Sequence, residues 1–360
     1  LKMLRMSPLN RRRWANFKAN KRGYWSLRIF VLLFSVTLFA ELIANDKPLV
    51  IQHNGSLYFP VLLPYSEKEL GGVFETEADY REQYVQDLVT EQGGWMLWPP
   101  IRYRHDTLDY ALDSPAPAPP SQRHLLGTDN YGKDVLANLI YGVRLSFLFG
   151  IVLTLLSSMI GITIGAVQGY FGGLVDLIGQ RLTEIWAGLP MLFILIILAS
   201  VVESNVFWLL AILVAFSWMS LVGVVRAEFL RARNLPFVMA AKALGASNRS
   251  VMVRHILPNA MVATITFLPF ILTGSITLLT SLDFLGFGLP ADSPSLGRLL
   301  AQGRTNIHAP WLGLTTVFTL AFMLTLLIFT GEAFSCYSLS KKLSNEFLKY
   351  MYTFEGLKAL

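Results

Sequence analysis

The sequence predicts an all-α polytopic membrane protein with six transmembrane helices and a small α+β insertion between the first two. Three observations predict it. Of 360 residues, 53% are hydrophobic and only 15% charged, whereas a soluble domain carries about 25% charged residues. Six separate segments have the length of about 20 apolar residues that a bilayer span needs. Basic residues gather in alternate segments between them, as membrane topology requires. A disordered chain and a coiled coil are excluded. The single cysteine, Cys336, excludes a disulfide framework, and the five histidines show no metal-ligand spacing. The net charge of +6 reads as membrane orientation rather than nucleic-acid binding.

The basic stretch 1–23 carries eight Lys and Arg residues and no acid, which places it in the cytoplasm. The first span covers 24–45 and reads as a retained helix, not a cleaved signal peptide. The segment between spans one and two is acidic. Over 48–120 it has four basic residues, Lys68, Arg81, Arg102 and Arg104, against eleven acids, so it lies outside. The second span falls within 145–175, the third covers 182–202 with Pro190 inside it, and the fourth runs 205–225. The segment 226–255 is basic again, with six Lys and Arg against Glu228 alone, and so lies inside. The fifth span falls within 256–282 and the sixth within 309–331, returning the C-terminus to the cytoplasm. Gly161, Gly165 and Gly169 recur every fourth residue in span two, a spacing that lets helices approach closely. Packing within the chain is the favoured reading over a seam between subunits. Arg181 and Glu184 stand three apart and can pair on one helical face.

The insertion, 46–142, is too long for a simple loop. Two β-like runs flank Asn54-Gly55, a hairpin signal. Asn54-Gly55-Ser56 also fits a glycosylation sequon, but the turn is the better reading. Residues 78–93 suggest a short helix, and Ser114–Pro120 an extended linker. Gly127–Lys133 matches the phosphate-cradling pattern GxxxxGK. Asp134 follows where a Mg²⁺-binding Ser or Thr is needed, and no strand precedes it. We therefore expect no nucleotide site and no cofactor in this chain.

Within the inner segment 229–258, residues 236–244 suit a helix. Gly245 can end it in the left-handed conformation, and Ser247 can cap the next. Ala240, Ala241 and Ala243 leave a face of little bulk that another protein can approach. An ordinary helical connector is the competing reading.

Residues 239–258 resemble the EAA loop of ABC importer permeases, EAA-x3-G-x9-I-x-LP. Ala240, Ala241, Gly245, Leu257 and Pro258 match; Met239 replaces the usual Glu and His255 the usual Ile. His124–Val135 and Gly169–Asp176 are similar to signatures of the dipeptide/oligopeptide branch. Ser7–Trp14, Gly23–Leu27, Glu41–Pro48 and Ser281–Pro290 resemble the Yej-type peptide importers, a group associated with microcin C uptake. The stretch 334–360 departs from the family pattern and reads as an extension or altered frame.

This resemblance implies a type I ABC importer permease fold, with a five-helix core over 143–333, and a transport subunit rather than an enzyme. The partners it implies are cytoplasmic ATPase subunits that bind and hydrolyse ATP, a second homologous permease forming a heterodimer, and a periplasmic peptide-binding protein. Its membrane would be the bacterial inner membrane. The coupling residues it implies are Ala240, Ala241, Leu244, Gly245, Ala246, Ser247, Leu257 and Pro258, with Arg249 and Arg254 adding charge. It points to no substrate-binding residue. Two other readings compete: a secondary transporter, disfavoured by the scarcity of charge in the spans, and a tethered enzyme or binding module built on 48–142, whose carboxylates read better as a solvated face.

Overall fold

A computed structural model describes residues 15, 17–91, 93–201 and 205–357, with backbone alone over 199–201 and 336–357. Most of the basic N-terminal stretch, the side chain of Cys336 and the last three residues lie outside that description. The chain divides into two compact units. One gathers the described residues up to Val31, Phe149–Leu278 and those from Phe322 on; the other gathers Leu32–Leu148 and Leu279–Ala321.

The first predicted span is helix α1, Lys21–Leu38, broken at Phe39 and resumed as α2, Ala40–Ile43. Lys21, Arg22 and Arg28 lie within α1, so its uniformly apolar part is short. Among the described residues, four helices are long and apolar enough to cross a membrane, or five if one bent pair is a single span. The first of the four is α4, Val135–Phe171. Its 37 residues rise about 55 Å, well beyond a hydrocarbon core of about 30 Å. The bent pair is α5, Gly173–Ala187, and α6, Met191–Val201, meeting at 63°. Pro190 stands at the bend, where its ring and missing N–H end helical continuity. Helices α7, Val206–Ser217, and α8, Met219–Ala232, make the next apolar stretch.

Two short helices follow, α9 (Pro236–Ala243) and α10 (Asn248–Ser250). A π-helical turn, Val251–Ile256, leads into α11, Leu257–Leu285. Helix α12, Leu296–Thr305, precedes α13, whose helical backbone runs from Pro310 to Leu357.

The insertion has the expected hairpin. Strand β1, Val50–His53, pairs antiparallel with β2, Ser56–Tyr58. Asn54 (φ 49°) and Gly55 (φ 76°) supply the two positive φ values of the turn. A third strand, β3 (Trp95–Leu97), pairs with the other edge of β1; the sequence reading did not anticipate it. The expected helix is shorter than 78–93: α3 covers Gln83–Thr90. Ile51, Leu70, Tyr80, Val85 and Val89 form a small buried core. The insertion is anchored where it begins. The Tyr141 hydroxyl donates to the Ala44 carbonyl at 2.8 Å, and Arg144 Nη1 donates to both Glu41 oxygens at 2.7 and 2.8 Å.

Candidate functional site

The segment resembling the EAA loop folds as expected. Pro236 opens α9 as a helix-compatible first residue. Gly245 ends it with φ 81°, a conformation that costs other L-residues about 1–2 kcal/mol. Ser247 caps α10, its Oγ accepting from Ser250 N at 3.3 Å.

Helix α9 has two unlike faces. Val238 and Ala241 are buried in a cluster with Ala166, Tyr170, Val225, Phe229, Val251 and Ile256. Ala241 is therefore core, and its small side chain serves packing within the chain rather than an outward face. The flank beside it is exposed. Phe237, Ala240 and Leu244 fall at i, i+3 and i+7, which one side of a helix brings together. Leu244 is 88% exposed and Phe237 42%. Met239, in the place of the family's Glu, is also exposed. Gly245, Ser247, Arg249, Arg254 and Pro258 are exposed, while Ala246 and Leu257 are half-buried. The sequence reading missed Phe237, although its seven-residue spacing from Leu244 was there to find.

The loop stands on a tight helix pair. A Cβ placed on Gly161, Gly165 or Gly169 would lie 2.4, 2.7 or 2.5 Å from the carbonyl oxygens of Trp218, Val222 and Arg226. The glycine spacing is thus an intrachain seam between α4 and α8, because the backbones approach too closely for any side chain. Just past the seam, the Arg226 guanidinium grips Asp176 with two hydrogen bonds, one at 2.6 Å. Arg181 and Glu184 pair as expected, at the surface.

The GxxxxGK segment is a closed turn. Asp129 Oδ1 accepts from Tyr131 N at 2.8 Å and Lys133 N at 2.9 Å. The backbone donors that would cradle phosphate are therefore already satisfied within the chain. Asp134 caps α4, its Oδ1 accepting from Ala137 N at 2.7 Å. Its other oxygen lies 2.9 Å from His124 Nδ1, and Asp109 Oδ2 lies 3.1 Å from His124 Nε2. Burial opposes the His124 charge, but the hydrogen bonds with Asp134 and Asp109 outweigh it and hold the imidazolium above its ordinary range. Burial likewise opposes the Asp109 carboxylate, which donors from Ala111 N, Tyr103 and His124 hold below its usual range. Burial, reinforced by Asp109, pushes the Tyr103 hydroxyl up to about 12. Read as one of five scattered histidines, His124 is in fact the centre of a buried ionic knot.

The Ser281–Pro290 signature ends in a similar closed turn. Asp283 accepts from Leu289 N and from Ser295 Oγ, each at 2.6 Å, and Ser295 in turn caps α12.

A family model described as "Binding-protein-dependent transport system inner membrane component" matches residues 161–336. The chain is 58% identical over 331 residues to the "Inner membrane ABC transporter permease protein YejE" of Escherichia coli (strain K12), covering 92% of this chain and 97% of that one. It is 51% identical over 351 residues to the "Peptidoglycan transport system permease protein YejE" of Agrobacterium fabrum, covering 91% and 92%. To the "Oligopeptide transport system permease protein OppC" of Lactococcus lactis subsp. lactis it is 35% identical over 220 residues, covering 60% and 75%.

Proposed function

This chain belongs to the family of binding-protein-dependent transport system inner membrane components, and from that premise we propose that it is the permease through which an ATP-driven importer takes up peptides. As a member it is a transmembrane permease subunit of an ABC importer, not an enzyme. The single observation that carries the reading is the pair of faces on α9. One is locked into the chain's own core, and the other leaves Phe237, Ala240 and Leu244 exposed, Leu244 almost completely. A loop so arranged is a handle, able to receive a partner and to pass its movement on.

In this reading a cytoplasmic ATPase docks on that stripe, with Gly245 and Ser247 setting the angle between α9 and α10 and Arg249 and Arg254 exposed beside it. ATP binds to and is hydrolysed by the ATPase. A second, homologous permease completes the path, and a periplasmic binding protein delivers cargo to the outer side. The N- and C-termini lie in the cytoplasm, 46–142 outside, and six helices cross the membrane, α1–α2 being the first. Peptide cargo is supported by the oligopeptide and peptidoglycan transport systems to which the relatives belong, and microcin C-like peptides by the resemblance in sequence.

The test compares Gly245→Asp with Ala241→Arg in cells carrying the whole importer. Gly245→Asp meets no neighbouring atom but must hold a positive φ, so it is expected to distort the turn locally, at about 1–2 kcal/mol, and to keep membrane abundance while losing peptide uptake and ATPase co-purification. Ala241→Arg is expected to lower abundance, because the guanidinium would enter a filled core. Wild-type uptake with a wild-type amount of bound ATPase in Gly245→Asp would remove the loop from the coupling path.

A further inference from the structure

A partner that pushes on the exposed stripe can move the transmembrane helices only if the loop is fastened to one of them. Tyr170 makes such a fastening. It is the penultimate residue of α4 and is 5% exposed. Its hydroxyl donates to Asn248 Oδ1 at 2.7 Å. Its ring lies under the Lys242 ammonium, with Nζ 4.8 Å from the centroid. The body of the side chain belongs to the buried cluster that also holds Val238, Ala241, Val251 and Ile256. One aromatic residue thus engages α9 through Lys242, α10 through Asn248, and the π-helical turn through the shared core.

The three engagements complement one another physically. Gly245 separates α9 from α10 without a side chain of its own, and the Ser247 cap is local to α10. Gly245 itself thus adds no side-chain contact across that break. Tyr170 spans that point, with a directional bond on one side and a cation over its ring on the other. Behind it, the Gly161, Gly165 and Gly169 seam presses α4 against α8, so displacement of the end of α4 is passed along the helix rather than absorbed beside it.

We propose that Tyr170, with Lys242 and Asn248, is the positioning residue that makes the loop and α4 move as one body when the ATPase moves. The proposal rests on the coupling-loop reading above and assigns the point at which the push enters the membrane helices.

The experiment uses the complete importer in lipid nanodiscs, with Cys336→Ser and spin labels on Thr163→Cys of α4 and Val253→Cys of the π-helical turn. Both positions are exposed. The distance between the labels is measured without nucleotide and after trapping with ATP and vanadate. In the otherwise wild-type chain the two distributions are expected to coincide. In Tyr170→Ala the trapped state is expected to shift or broaden. Tyr170→Phe, which keeps the ring and loses only the bond to Asn248, should be inserted normally. It is expected to hydrolyse about fivefold more ATP per peptide imported, the consequence of losing one ordinary hydrogen bond. Lys242→Met should act in the same direction, while Lys242→Arg, which keeps a cation over the ring, should restore the wild-type ratio.

Separation of loop and α4 on trapping in the wild type would overturn the proposal. So would a wild-type distance pattern and ATP ratio in both Tyr170 variants. A complex that hydrolyses ATP but imports no peptide would instead count against the proposed cargo, and the label distances would still decide the role of Tyr170.

Discussion

Two glycine-containing segments, 124–134 and 239–247, each resemble a family signature and differ in what they do with their side chains. In the first, Asp129 satisfies its own backbone, and His124 is held between Asp109 and Asp134. Its buried polar side chains are all engaged within the chain, while Leu125 and Tyr131 stay exposed. In the second, Ser247 caps locally, Lys242 sits over the Tyr170 ring, and the largest apolar side chain, Leu244, faces outward. A motif that consumes its own polar groups builds the fold.

Breaking the closed turn should have the largest effect. Asp134→Ala removes a helix cap and one side of a buried ionic contact together. Loss of one partner of a buried pair costs about 3–5 kcal/mol, and the cap about 1 kcal/mol more. The expected outcome is a large drop in membrane abundance and in the thermal midpoint of the purified permease.

The pH dependence of the same knot sharpens the contrast. His124 has a raised value when folded, so its contribution is complete below the ordinary histidine value of about 6.5 and is lost as pH rises through the folded one. Asp109 is depressed, so its contribution is present above about 3.9 and lost as pH falls through its folded value. Stability should fall on both sides of that window. His124→Gln should flatten the alkaline arm in a thermal-shift series, and an unchanged alkaline arm would show that His124 carries no proton there.

The open turn should show the smallest effect on stability. Leu244→Glu alters a fully solvated side chain, so folding should change by no more than about 0.5 kcal/mol. Capture of the ATPase should nevertheless be lost in co-purification. Equal capture by wild type and Leu244→Glu would erase the distinction between the two turns.

Features governed by local chemistry were legible in the sequence. Asn54-Gly55 announced its turn because few residues accept two successive positive φ values, and Gly245 and Ser247 announced theirs because caps are read from neighbours. Strand β3 escaped because its pairing with β1 bridges more than forty residues and Trp-Met-Leu has no distinctive alternation. The ionic knot escaped because Asp109, His124 and Asp134 meet only after folding, although an Asp before an apolar run is a helix-start signal that pointed to Asp134. Ala241 was assigned to the outer face because composition shows small residues without showing which way a helix turns them. The interruption at Phe39 was not foreseen, since apolarity continues across it.

The π-helical turn 251–256 has a consequence for how the loop is phased. Its N–H of Leu257 bonds five residues back, to Met252 O, so the turn holds one residue more than an α-helix would. Each residue of an α-helix advances about 100°, so the extra one sets the azimuth at which α11 leaves the loop. A chain shortened by one residue here would regain regular winding and would present a different side of α11 to its surroundings, with the loop still folded. Length at this point thus acts as a phase setting, independent of the identity of the side chains.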